Sequence, residues 1–164
     1  MISLIGTYDC KADVKGRVML PVALKSQLAP VLSGGFVIKR AVFRDCLELY
    51  PMHEWQLLME QMNEKNRFVK KNNDFIRRFT AGVKIVEIDV SGRLLIPRNL
   101  MGIASITNEV VLSAAINILE IWDKTQYESV LEETAQDFAS LAEEVMGDED
   151  IKLSESGNAS GDGG

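Results

Sequence analysis

The chain contains its own pattern twice. Asp13-Val14-Lys15-Gly16-Arg17-Val18-Met19-Leu20-Pro21-Val22-Ala23-Leu24 aligns with Asp89-Val90-Ser91-Gly92-Arg93-Leu94-Leu95-Ile96-Pro97-Arg98-Asn99-Leu100 at an offset of 76 residues. Phe36-Val37-Ile38 then matches Val110-Val111-Leu112 at offset 74, and Leu47-Glu48-Leu49-Tyr50 matches Leu119-Glu120-Ile121-Trp122 at offset 72. A repeat of this length constrains the fold before composition does, because each copy is too small to bury a core alone and must pack on its twin. Joining the copies in one chain makes that pairing intramolecular.

Each copy reads as the same series of elements. A β-branched stretch, for example Lys84 to Val90, predicts a strand, and Gly16 or Gly92 supplies the positive φ of a tight turn. A short strand follows (Arg17 to Leu20; Arg93 to Ile96), ended by a proline that suits a helix start. Short helices are predicted over Pro21 to Leu28 and Pro97 to Met101, the second stopped by Gly102. Two more strands, Gly35 to Val42 and Cys46 to Tyr50, have counterparts at Glu109 to Ala114 and Ile118 to Trp122. A longer helix closes each copy: Met52 to Lys71, with Trp55, Leu58, Met59 and Met62 on one face, and Lys124 to Met146, capped by Asp123 with Gln126. The expected divisions are 7–54 (first repeat), 55–82 (connecting helix and joint), 83–126 (second repeat), 127–147 (C-terminal helix) and 148–164 (a disordered acidic Gly/Ser tail).

Charge is distributed unevenly. The 164 residues carry a formal net charge of −6, but ten of the 24 acids and only one of the 18 bases fall in 132–164. Residues 1–131 therefore hold 14 acids against 17 bases, a mildly basic body compatible with DNA. Two cysteines, Cys10 and Cys46, are read as reduced thiols, and the opening Met1 to Gly6 lacks the basic and apolar regions of a secretory signal. The expected location is the cytoplasm, with no membrane span.

Catalytic groupings are poor. His53 is the one histidine and reads as a surface residue; no His/Cys cluster, Walker motif, GxGxxG or GxSxG occurs. A symmetric dyad of Asp13 and Asp89 is the one acid arrangement an enzyme has to draw on, and the Asp-Thr/Ser-Gly motif of aspartic proteases is missing. The expectation is no enzyme, no cofactor, no metal and no small-molecule substrate.

The polar residues common to both copies are Asp13 and Asp89, Arg17 and Arg93, and Glu48 and Glu120. The glutamates alternate with apolar neighbours and read as solvent-facing or structural carboxylates. An arginine directly after a turn glycine holds a planar charged fork near a loop tip, where it reaches phosphate or a guanine edge. Lys11, Lys15 and Lys39 are candidates to extend that surface. The bland alternative is an Asp–Arg pair that only ties the hairpin, and the two readings are compatible. A second basic group, Lys65, Arg67, Lys70, Lys71, Arg77 and Arg78, is assigned to a solvated helix end and to packing or subunit contacts.

With both Asp–x–x–Gly–Arg–x–x–x–Pro blocks, Leu49-Tyr50-Pro51 leading to Glu54-Trp55, and the Arg77-Arg78-Phe79 joint in view, the sequence resembles the MraZ family of bacterial transcriptional regulators, which carry two tandem SpoVT-AbrB-type modules. The resemblance runs to about residue 146. It implies an α+β chain with a mainly β core, an AbrB-like swapped-hairpin β-barrel, and assembly into a ring-shaped homo-oligomer. It implies double-stranded DNA as partner, bound at promoter direct repeats of the division and cell-wall gene cluster, mostly in repression, at the nucleoid. The DNA-binding residues it implies are Arg17, Arg93, Lys15, Asp13 and Asp89, to which the residue reading adds Lys11. Ser91 departs from the basic residue present at Lys15, so the two tips differ. The other readings are an antitoxin-like regulator that binds a protein through its C-terminal segment, and a ring-forming scaffold whose arginine tips hold subunits together.

Overall fold

The structure, a computed structural model, describes residues 2–147; the expected tail at 148–164 lies outside the described residues. Residues up to Tyr127 form one compact unit and those from Glu128 a second.

The chain repeats one series. Strands β1 (Thr7–Lys11) and β2 (Arg17–Met19), helix α1 (Val22–Leu28), strands β3 (Phe36–Arg40) and β4 (Leu47–Pro51) and helix α2 (Met52–Asn63) make the first copy. After helix α3 (Lys70–Thr80), the second copy runs β5 (Lys84–Val86), β6 (Arg93–Leu95), α4 (Arg98–Ile103), β7 (Glu109–Ala115), β8 (Ile118–Asp123) and α5 (Lys124–Ala135). A 3-10 segment, Ala29–Gly34, is present in the first copy alone, where the offset between copies falls from 76 to 74.

The copies exchange strands. The large antiparallel sheet has the order β1-β7-β8-β4-β3-β5, so the first strand of each copy pairs with the other copy's third. β2 pairs with β6 in a separate two-stranded ribbon. Single bridges, Ala12 to Val18 and Ile88 to Leu94, link the ribbon to the chain just beyond β1 and β5. Neighbours thus run in a circuit around one core, as the swapped-hairpin expectation requires, although continuous ladders leave the barrel open at those two bridges.

The register locates a pseudo-twofold axis. Val18 faces Leu94, its own counterpart, and Glu48 faces Glu120, its own counterpart. On the inner face Val18, Leu94, Leu47, Leu49, Leu119 and Ile121 are fully buried with Leu24, Leu28 and Leu100 of the short helices. Each such side chain stabilises the fold by roughly 1.5–3 kcal/mol, which holds the ribbon's inner face down and turns its alternate residues outward.

Several expectations change. The strand predicted over Lys84 to Val90 stops at Val86, with a lone bridge at Ile88, because Asp89 to Gly92 form the turn. Gly102 does not stop α4, which runs to Ile103; the left-handed backbone falls on Ser105 instead, at φ 55°. Met52 to Lys71 is not one helix. Asn66 Oδ1 accepts the Phe68 N–H at 2.9 Å and Asn72 Nδ2 donates to the Asn66 carbonyl, so asparagine side chains compete with the helical ladder and open a turn before α3. That turn folds Phe79 back onto Trp55, stacked at 6.1 Å, while Trp55 meets Tyr50 edge-on at 5.2 Å. Lys124 to Met146 is likewise interrupted, at 136–137, before helical residues 138–147. Its start is as read: the Gln126 N–H donates to Asp123 Oδ2 at 3.2 Å.

Candidate nucleic-acid interface

The two Asp–x–x–Gly–Arg segments fold identically. Asp13 opens a turn in which its carbonyl accepts the Gly16 N–H and its N–H donates to the Arg17 carbonyl. Its Oδ1 accepts the N–H groups of Lys15 (3.0 Å) and Arg17 (2.9 Å), and Oδ2 accepts Arg17 Nε at 2.6 Å. Asp89 does the same for Ser91, Arg93 N–H and Arg93 Nε, the last at 3.2 Å. Glycine closes each turn at φ +89° and +87°, conformations that side chains resist.

These bonds fix the electrostatics. The Arg17 backbone N–H, then its side chain and the Lys15 N–H, hold the Asp13 carboxyl below the usual range. The Arg93 backbone N–H and the nearby guanidinium do so for Asp89. Both carboxylates are ionised at neutral pH, the opposite of a dyad that shares a proton. Each is a second link to its arginine, and each occupies only Nε. Among the described residues the Nη groups of Arg17 and Arg93 have no hydrogen-bond partner, and both side chains are 45% exposed.

Pairing in the ribbon brings the two arginines onto one surface. Arg17 lies opposite Leu95 and Met19 opposite Arg93, all four exposed, with Val18 and Leu94 buried beneath. The outward face therefore carries two guanidiniums on one diagonal and two apolar side chains on the other. Each turn is also pinned by the other copy: the Ile96 N–H donates to the Gly16 carbonyl at 2.8 Å, and the Leu20 N–H to the Gly92 carbonyl at 2.9 Å. Lys11, Asp13, Arg17, Met19 and Arg93 line one hollow of about 380 Å³ with Asn108. Lys15 and Asp89 do not reach it; exposed Lys15 stays at the first tip and Asp89 lines a second hollow of about 330 Å³ at the other.

Two lysines depart from the sequence reading. Lys39 does not extend the basic surface: it is buried, 3.2 Å from Glu48 Oε1 and 4.3 Å above the Phe79 ring. Lys25 does extend it. Its Nζ donates to the Ser91 carbonyl at 3.2 Å, so the second tip, which has Ser91 where the first has Lys15, receives its cation from α1. Lys25 and Met101 are equivalent positions at offset 76, and each side chain covers the other copy's turn glycine. The sequence signal was that equivalence, readable only once the ribbon pairing is known. Of the second basic group, Lys65 and Arg67 lie in the exposed connection after α2 and the other four on α3, where Lys70 and Arg77 both pair with Asp74.

No helix among the described residues is long and apolar enough to cross a membrane, and no group of His, Cys, Asp and Glu among them has the arrangement of a metal site.

The family model described as "MraZ protein, putative antitoxin-like" matches residues 3–78 and again 79–148. The protein named Transcriptional regulator MraZ of Christiangramia forsetii is 69% identical over 151 residues, 92% of this chain and 97% of its own. That of Flavobacterium psychrophilum is 62% identical over 147 residues, covering 90% and 94%, and that of Bacteroides thetaiotaomicron 31% over 150 residues, covering 91% and 96%. With its two tandem copies of the family unit and relatives matched along almost their whole length, the chain belongs to the MraZ family.

Proposed function

We propose that the chain is a sequence-specific, DNA-binding transcriptional regulator, chiefly a repressor, that acts from the cytoplasm on nucleoid DNA at direct repeats in the promoter of a division and cell-wall gene cluster. The observation that carries this reading is the β2–β6 ribbon, on which Arg17 and Arg93 are clamped at Nε by Asp13 and Asp89, with their side chains half exposed and their Nη groups unpaired. A two-stranded ribbon fits the major groove, and an Arg fork matches guanine O6/N7 or a phosphate. Lys11, Lys15 and Lys25 add backbone contacts, which position without specifying.

One such unit offers few cationic contacts, and binding of that kind weakens steeply with salt. A ring of identical chains on successive direct repeats multiplies the contacts by avidity. The second unit suits self-association: Phe138, Leu141 and Val145 recur at helical spacing after the break and are all exposed, as is Leu131 of α5. The same acidic segment with its exposed apolar side chains favours a second reading, an antitoxin-like regulator or scaffold that holds a protein partner.

A gel-shift titration against the DNA upstream of the chain's own gene, with random-sequence competitor at two salt concentrations, tests the proposal. Retention that survives competitor and falls with salt supports it. A ring on sizing with no preference for that fragment supports the scaffold instead.

A further inference from the structure

We propose that Val14 and Val90 read thymine, each packing its isopropyl group against a 5-methyl in the major groove beside the group its neighbouring arginine engages. The inference rests on the DNA-binding reading above and adds a base chemistry to it.

Both residues stand at the second position of the four-residue turn, one after the aspartate, and are 88% and 108% exposed. Nothing in the turn requires valine there. The aspartate side chain accepts the N–H groups two and four residues on, and the glycine takes the positive φ. Small polar residues, proline and glycine suit such positions, and β-branched residues belong in strands. A single exposed apolar residue is ordinary. Two identical ones at symmetry-equivalent tips are different, above all when the next position varies, Lys15 in one tip and Ser91 in the other.

What an exposed apolar tip meets on DNA, three residues before an arginine whose Nη groups are unpaired, follows from the partner's chemistry. The thymine methyl is the apolar group displayed on the floor of the major groove, where it is read by apolar contact, and arginine reads the adjoining guanine or phosphate. The same two valines buried between subunits of a ring are the competing arrangement.

Fluorescence anisotropy with the fragment upstream of the chain's own gene tests this, the fragment being amplified once with dTTP and once with dUTP, which removes each 5-methyl. One buried methyl accounts for about fourfold and two for about fifteenfold in affinity. The full-length protein is therefore expected to bind the uracil fragment at least about fourfold more weakly, and about 15-fold for each chain that engages both tips. Val14→Ser/Val90→Ser is expected to bind both fragments alike, at the strength with which the unaltered chain binds uracil DNA, and to keep its elution volume on sizing. The proposal is overturned if the unaltered chain ignores the change of base, or if the variant keeps the uracil penalty. It is also overturned if the variant changes oligomeric size, or binds the thymine fragment more weakly than the unaltered chain binds the uracil one. A penalty that disappears only in Met19→Gln/Leu95→Gln assigns the contact to the centre of the ribbon and likewise rejects the tips. Failure of the unaltered chain to prefer the thymine fragment over random competitor rejects the DNA-binding reading itself.

Discussion

At the scale of single residues, the aspartates and the buried groups behind the sheet show how position sets chemistry. Asp13 and Arg17 are four residues apart in sequence yet meet at Nε, because the turn between them returns the chain on itself. An exposed pair of this kind contributes little to stability; its effect is to orient the fork. Cys46 is the contrary case. Burial, aided by the carboxylates of Glu120 and Glu48, pushes its thiol from 9.0 up to about 12. A folded pKa raised above the unfolded one leaves stability intact below pH 9 and removes it as pH rises toward 12, since only the unfolded thiol ionises. Between pH 8 and pH 10 the unfolding free energy of the unaltered chain should therefore fall about 1 kcal/mol more than that of Cys46→Ala. Urea titrations at the two pH values read that difference; equal slopes would place the thiol in a wetter site than the fold gives it.

The turns are the informative elements. Gly16 and Gly92 have the same left-handed backbone but different neighbours: a Cβ at Gly16 would meet the Ile96 carbonyl oxygen at 2.6 Å, whereas one at Gly92 would meet the flexible chain of Lys25. Gly92→Ala should cost roughly 1–2 kcal/mol, the penalty of the left-handed conformation alone. Gly16→Ala should cost about 3 kcal/mol or more, since the ribbon's backbone must also shift. Thermal melting distinguishes the two, and equal losses would mean that the tips are not pinned by the opposite copy. Both turns were legible in sequence because glycine followed by arginine and, four residues later, proline leaves little conformational choice. The break at 64–69 was not, because Asn66 and Asn72 act through side-chain bonds that no periodicity reveals.

For the whole molecule, the repeat made the pseudo-twofold and the mixed α+β class readable, while strand exchange entered only through family resemblance. Pattern alone cannot tell β1 pairing with its own copy from β1 pairing with β7, since both bury the same residues. The same blindness misplaced Lys39, whose charge reads as surface in a sequence. On the axis Glu48 faces Glu120, a like-charge pair that destabilises a sheet unless compensated. Lys39 and Tyr50 reach Glu48 at 3.2 and 3.3 Å, and Trp122 Nε1 reaches Glu120 at 3.3 Å. Lys39→Met removes the buried cation bonded to Glu48 and should cost about 3–5 kcal/mol, with partial recovery in Lys39→Met/Glu48→Gln. Urea midpoints read both, and an unchanged midpoint in the single variant would dissolve the account of the axis.

The claim on which the functional reading depends is that Arg17 and Arg93 meet DNA from an exposed ribbon and do not hold the protein together. Anisotropy titration of Arg17→Ala/Arg93→Ala against the upstream fragment, with sizing and melting of the same sample, addresses it directly. The account predicts an affinity loss of at least about 30-fold, from two contacts worth roughly 1–3 kcal/mol each, with a shallower salt dependence and an unchanged elution volume and melting midpoint. Affinity within about twofold of the unaltered chain would contradict it.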